Sequence, residues 1–250
     1  MSENAIPEYA RVVIIGGGII GCSVAYHLAD MGCKEVVLLE RDQLTSGTTW
    51  HAAGLMTTYG SGSETILGIR RHSMELYKRL EEETGQQTGF KPVGFIEVAA
   101  GEDRLEEYRR ITNFNRLHGN DIQELSPAEV KDLFPFAEVD NICAGFYAEN
   151  DGRINPVDVT MALAKGARMK GAKIFQNTPV RGVLTRNGTV TGVRTDKGEI
   201  RSEFVVNCAG MWARQLGEQS GVVIPNQAAE HYYLFTDRID GVSADLPVLE

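Results

Sequence analysis

The sequence predicts an α/β fold in which a first domain, interrupted along the chain, carries an inserted and mainly antiparallel β domain. Three observations predict it. Residues 11–40, RVVIIGGGIIGCSVAYHLADMGCKEVVLLE, read as strand, glycine turn, helix, strand and acid. Two turn signals, Arg186-Asn187-Gly188 and Asp196-Lys197-Gly198, separate apolar stretches and predict a β-meander rather than another βαβ unit. A second strand-to-glycine junction, residues 204–206 into Asn207-Cys208-Ala209-Gly210, lies far down the chain.

The opening stretch carries the most chemistry. Residues 12–15 are apolar and β-rich, and Gly16, Gly18 and Gly21 spell G-x-G-x-x-G ahead of a helical pattern through Ala25, Leu28 and Ala29. A second apolar run, 36–39, ends on Glu40, 19 residues beyond the last glycine. This is the Rossmann-like arrangement that binds a dinucleotide. Gly16 permits a sharp turn, Gly18 lets backbone approach a diphosphate, and Gly21 lets the helix lie close to the sheet. The helix start, with Ile19 and Ile20, presents N–H groups and the positive dipole end to phosphate. Glu40 is placed to accept from a ribose hydroxyl. The loop after it, 41–64, is rich in small and hydroxyl residues. Gly47, Thr48 and Thr49 there offer N–H and O–H groups to an anionic or polyhydroxylated ligand.

Length and composition narrow the class. The chain has 250 residues, 42% apolar and 24% charged, which is ordinary for a globular protein with room for two domains. A formal net charge of −9 argues against a nucleic-acid partner. Four scattered cysteines follow neither metal-ligand nor disulfide spacing, and no metal site is expected. The first ten residues lack a secretory or mitochondrial leader pattern, and residues 12–20 are too short and glycine-rich to span a membrane. The expected compartment is the cytoplasm, or the mitochondrial matrix if a presequence has been removed.

Further along, residues 64–83 form an expected helix with Ile66, Ile69, Leu76 and Leu80 on one stripe and Gly85 as its stop. Strands are expected over 90–99, 142–148 and 172–175, and helices over 102–117 and after Pro156. Ser126, Pro127 and Glu129 spell a capping box at the start of a short helix that Pro135 ends. Residues 222–250 read as strand-like. The expected dinucleotide-binding domain comprises 1–90 plus 141–215, and the expected substrate domain 91–140 plus 216–250.

With these residues in view, the stretch from Glu40 to Gly54, ending SGTTWHAAG, resembles the FAD-dependent dimethylglycine and sarcosine dehydrogenase group, which has the D-amino-acid oxidase and glycine oxidase-like fold. LEEETGQ at 80–86, the DGRINP turn, MALAKGAR at 161–168 and NCAGMWAR at 207–214 resemble it too, so the likeness covers essentially the whole chain. It implies a glutathione-reductase-type FAD domain and oxidation of a secondary or tertiary amino acid such as sarcosine or dimethylglycine. In that reaction an N-methyl carbon gives a hydride equivalent to flavin N5, leaving an iminium whose one-carbon unit passes to water or tetrahydrofolate, so that the amine is demethylated, a step in one-carbon metabolism. The resemblance implies that His51 is joined covalently to the flavin, and imidazole as a class supplies a neutral nucleophile near pH 7. It assigns Ala52, Gly54 and Leu55 to the same flavin loop, Arg41 to the adenosine part, the Val180 main chain to the adenine, and Ala209, Gly210 and Trp212 to the ribityl region. His231, with Tyr233 on the same face of an expected strand, is assigned to the substrate. Tetrahydrofolate is implied only through a domain outside this chain, as proteins of this kind continue well past 250 residues. The electron acceptor, oxygen or an electron-transfer protein, stays open. Two alternatives stay open as well. One is a non-catalytic flavoprotein resembling the regulatory subunit of pyruvate dehydrogenase phosphatase. The other is a further FAD oxidoreductase of the same fold.

Overall fold

The computed structural model describes residues 5–250. In chain order its elements are β1 (Tyr9–Ile15), α1 (Ile19–Asp30), β2 (Val36–Leu39), β3 (Leu55–Met56), α2 (Glu64–Thr84), β4 (Phe95–Ala99), α3 (Glu102–Leu117), β5 (Gln123–Leu125) and α4 (Pro127–Leu133). There follow β6 (Ala144–Ala148), β7 (Gly152–Arg153), α5 (Pro156–Met169), β8 (Lys173–Phe175), β9 (Val180–Arg186), β10 (Thr189–Thr195), β11 (Gly198–Asn207), α6 (Ala213–Glu218) and β12 (Val248–Leu249). Single 3₁₀ turns occupy Thr48–His51 and Gly210–Trp212. The chain divides into two compact units. One comprises the described chain through Ala53, Leu80–Thr88 and Pro156–Tyr232; the other comprises Gly54–Arg79, Gly89–Asn155 and Tyr233–Glu250.

The first unit is built on a six-stranded sheet in the order β8-β2-β1-β11-β10-β9. β1 lies parallel to β2 on one side and to β11 on the other, with Val12 opposite both Val36 and Phe204. β2 is buried along its whole length, as expected of a parallel strand covered on both faces. The meander expected from the turn signals is present, with β9, β10 and β11 antiparallel. At its first turn Asn187 has φ +52 and Gly188 φ +75, the pair of left-handed conformations a two-residue hairpin requires. α1 packs against α5 where Gly166 admits the Tyr26 ring; a Cβ at Gly166 would lie 2.8 Å from that ring. Ala10, Val13, Val37, Leu39, Val193 and Ile200 close one apolar core.

The second unit holds a four-stranded sheet in the order β12-β4-β6-β5, antiparallel except for the β12–β4 pair. Its core joins Tyr59, Phe95, Leu105, Ile122 and Phe146, and the Tyr59 and Phe146 rings stack with centroids 6.2 Å apart. The capping box forms: Ser126 Oγ accepts from Glu129 N–H, and the Glu129 carboxylate accepts from Ser126 N–H at 2.7 Å. Ser126→Ala is therefore expected to lower stability by about 1 kcal/mol, read as a lower thermal midpoint. An unchanged midpoint would mean that α4 does not depend on its cap.

The structure departs from the sequence expectations in three places. In α2 Leu76 and Leu80 are buried as expected, and so are Leu67 and Met74, while Ile66 and Ile69 are exposed. The helix is apolar on two neighbouring stripes, and packing covers parts of both. β5 had no recognisable pattern, since QEL carries one apolar residue. The largest correction concerns 222–250: among these residues only Val248–Leu249 is strand, so His231 and Tyr233 do not stand on one. A strand exists through its partner, and residues 222–238 pair with no strand among the described residues. Among the described residues no helix is long and apolar enough to cross a membrane.

Candidate functional site

β1 ends at Ile15, and the chain turns at Gly16 with φ +114. A Cβ on Gly16 would sit 2.2 Å from the Cys208 carbonyl oxygen, at the junction after β11. A Cβ on Gly21 would sit 1.9 Å from the Gly16 carbonyl oxygen, so this glycine sets how closely α1 lies on the turn. Gly17, which the fingerprint does not require, is held as tightly: a Cβ there would meet Leu44 at 2.6 Å and Glu40 at 2.8 Å. The N-cap residue of α1 is Gly18, which has no side chain to offer, and the first turn carries no acidic residue, which leaves its positive end fit for an external anion.

Glu40 follows β2 and is buried. One carboxylate oxygen accepts from Gly17 N–H at 2.6 Å, the other from Asp42 N–H at 2.9 Å. Each carboxylate oxygen can accept twice, so Glu40 braces the glycine turn and keeps capacity for a ligand hydroxyl. Thr49 Oγ1 accepts from Ile19 N–H at 3.0 Å, which ties the hydroxyl-rich loop to the start of α1. The thiols of Cys22 and Cys208 lie beneath this turn. Burial pushes Cys22 up to about 12 and raises Cys208, so both are thiols that pack rather than thiolates that attack.

These segments enclose a cavity of about 550 Å³ along the strand ends of the first unit. That is within the usual size of small-molecule sites. Its lining includes Gly16, Gly18, Ile19, Ile20, Glu40, Arg41, Gly47, Thr48, Thr49, Ala52, Val180, Ala209, Gly210 and Trp212. Gly21 lies under the turn. His51 closes the 3₁₀ turn that begins at Thr48; it is exposed and not among the lining residues, and its ring lies 3.7 Å from that of Trp50, centroid to centroid. Gly54 and Leu55 belong to the second unit, where Gly54 accepts from Ile154 N–H at 2.8 Å and Leu55 pairs with Arg153. His231 and Tyr233 do not line the cavity either; both are exposed, and Tyr233 meets Phe235 edge-on at 4.9 Å. The lining also includes Ser46, which opens the SGTTWHAAG stretch, and Pro179, Arg181, Gln215 and Gln219. No short motif marks the last four; the packing of α6 and of the start of β9 brings them in.

The geometry suits a dinucleotide: a glycine cradle no side chain could share, a helix start whose own cap residue is a glycine, an acid at the end of β2, and a crevice at the carboxyl ends of parallel strands. The comparisons agree. The chain is 40% identical to mitochondrial sarcosine dehydrogenase of Homo sapiens, over 96% of this chain and 27% of that protein. It is 42% identical to mitochondrial dimethylglycine dehydrogenase of Rattus norvegicus, over 99% of this chain and 30% of that protein. It is also 42% identical to the mitochondrial pyruvate dehydrogenase phosphatase regulatory subunit of Mus musculus, over 93% and 26%. The chain thus spans between a quarter and a third of the length of these relatives. Among solved structures, L-proline dehydrogenase from P. horikoshii superposes with a TM-score of 0.81 at 28% identity, covering 87% of this chain and 57% of that one. The model of the FAD dependent oxidoreductase (DAO) family matches residues 11–249, and the chain belongs to that family.

Proposed function

We propose that this chain is the FAD-binding portion of an amine dehydrogenase or oxidase that demethylates a small N-methylated amino acid such as sarcosine or dimethylglycine. The observation that carries the reading is the continuity of cradle and loop. Gly16–Gly18 and Thr49 line the same cavity, and the turn that holds Thr49 ends on His51. Bound FAD would supply two-electron oxidation of a C–H bond next to nitrogen. The chain's own contribution is binding and orientation. The start of α1 holds the diphosphate, Glu40 accepts from the adenosine ribose, and the Val180 backbone faces the adenine. His51 forms the covalent tether, with Gly54 and Leu55 on the same loop. His231 and Tyr233 face the amine; this rests on the resemblance, and their exposed positions leave both accessible to a ligand. Oxygen or an electron-transfer protein takes the electrons, and tetrahydrofolate, where used, binds outside this chain. The names of the relatives favour a mitochondrial setting over the cytoplasm.

Similarity to a phosphatase regulatory subunit favours a second reading, a flavoprotein that does not turn over methylated glycines. Two measurements on the protein test the tether and separate these readings, in that order. After acid precipitation, flavin fluorescence is expected in the pellet and is expected to move to the supernatant in His51→Ala. Anaerobic sarcosine or dimethylglycine is expected to bleach the flavin absorbance, and more slowly in His231→Ala. Flavin wholly in the supernatant of the unsubstituted protein would remove the tether. A flavin-loaded protein that neither amine bleaches would point to the regulatory reading.

A further inference from the structure

β2 and β11 are the two neighbours of β1, and both run parallel to it, so the segments leaving their carboxyl ends emerge on one side of the sheet. Strands in a sheet lie about 4.8 Å apart, which puts the two exits roughly 10 Å from each other, with the end of β1 between them. Arg41 is the second residue past β2, and Trp212 the fifth past β11. Yet the Arg41 guanidinium carbon lies 3.8 Å from the centre of the Trp212 ring, and both side chains line the cavity that holds the glycine turn. A link between the segments that flank β1 must cross over its end. The indole also reaches the β2 side directly: a Cβ on Gly47 would lie 3.5 Å from it.

We propose that the Arg41–Trp212 stack is a strap across the nucleotide crevice, and that a dinucleotide enters and leaves only while it is open. The inference rests on the reading of this cavity as the FAD site. Arg41 keeps a partner when the stack opens, since its Nε already lies 3.4 Å from the Asp42 carboxylate while the stack is closed. Both side chains of that pair are solvent-accessible, so opening leaves no buried charge unpaired. A guanidinium over an indole at a partly exposed site is a modest attraction, of the size that sets a rate rather than forbids a step.

A strap differs from an ordinary ligand contact in what its loss does to uptake. Losing a contact speeds release and leaves uptake unchanged or slower. Losing a strap speeds both. The test uses the His51→Ala protein, in which no tether hides release, freed of flavin and mixed with FAD while the free flavin fluorescence decays. Arg41→Met and Trp212→Leu, each in that background, are expected to take up FAD about two- to fivefold faster and to release it faster too. The double variant is expected to be no faster than either single one, because one link has been cut twice. Uptake by the His51→Ala parent with unchanged or slower uptake in both further variants would overturn the strap alone. Failure of the parent to bind FAD would overturn the strap together with the reading of the cavity.

Discussion

Gly21→Ala is expected to lower the flavin retained by the protein, because it weakens binding about tenfold or more, roughly 1.4 kcal/mol. The added Cβ would lie 1.9 Å from the Gly16 carbonyl oxygen, a distance no relaxation of a side chain can relieve because the obstacle is backbone. Either α1 lifts from the turn or the turn itself shifts, and the start of α1 and the Gly16–Gly18 cradle lose their common register. Overpacking of this kind costs about 1–3 kcal/mol in stability as well. Gly68→Ala is the matched control. Gly68 lies within α2, a Cβ there would meet nothing within 4 Å, and alanine is expected to stabilise the helix by about 1 kcal/mol. The flavin-to-protein absorbance ratio after desalting reads the first effect and the thermal midpoint the second. Full flavin content in Gly21→Ala would mean that α1 does not hold the ligand.

Asp151→Ala is expected to cost about 3 kcal/mol or more, the largest stability effect among these substitutions. Asp151 is buried in the second unit. It accepts from Thr58 N–H and Thr58 Oγ–H, both at 2.7 Å, and from Tyr59 N–H at 3.2 Å. Removing the carboxylate strands these donors beside the Tyr59–Phe146 stack. The pH dependence has a definite sign. Burial raises the Asp151 pKa more than its hydrogen bonds lower it. The folded protein therefore binds more protons than the unfolded chain between the ordinary carboxylate value, about 3.9, and the raised folded one. The stability this group contributes is complete below the unfolded value and declines as pH rises through the folded value. The gap between the parent protein and Asp151→Ala is thus expected to be widest in acid and to narrow toward neutrality. Urea unfolding at several pH values measures it, and a gap that widens with rising pH would show that hydrogen bonding, not burial, governs this carboxylate.

The cradle was legible because it is local. Gly16, Gly18, Gly21 and Glu40 fall within one strand–helix–strand unit, where spacing along the chain dictates spacing in space. The capping box at Ser126 and the Asn187-Gly188 turn were legible for the same reason. The stripe of α2 was read only in part, because Ile66 and Leu67 are equally apolar and their neighbours in the fold decide which is covered. The strand expected around His231 rested on composition and on the family resemblance, and apolar composition without a pairing edge does not make a strand.

Sequence by itself determined the glycine turn, the acid after β2, the meander and the hydroxyl-rich loop, since each depends on backbone freedom or hydrogen-bonding groups a few residues apart. Only the tertiary structure decided that β11 returns beside β1, which brings Cys208 against Gly16 across 192 residues of chain and Trp212 against Arg41 across 171. Sheet order is set by which apolar faces can be buried together. That is a property of the whole packed unit, and no single stretch of residues carries it.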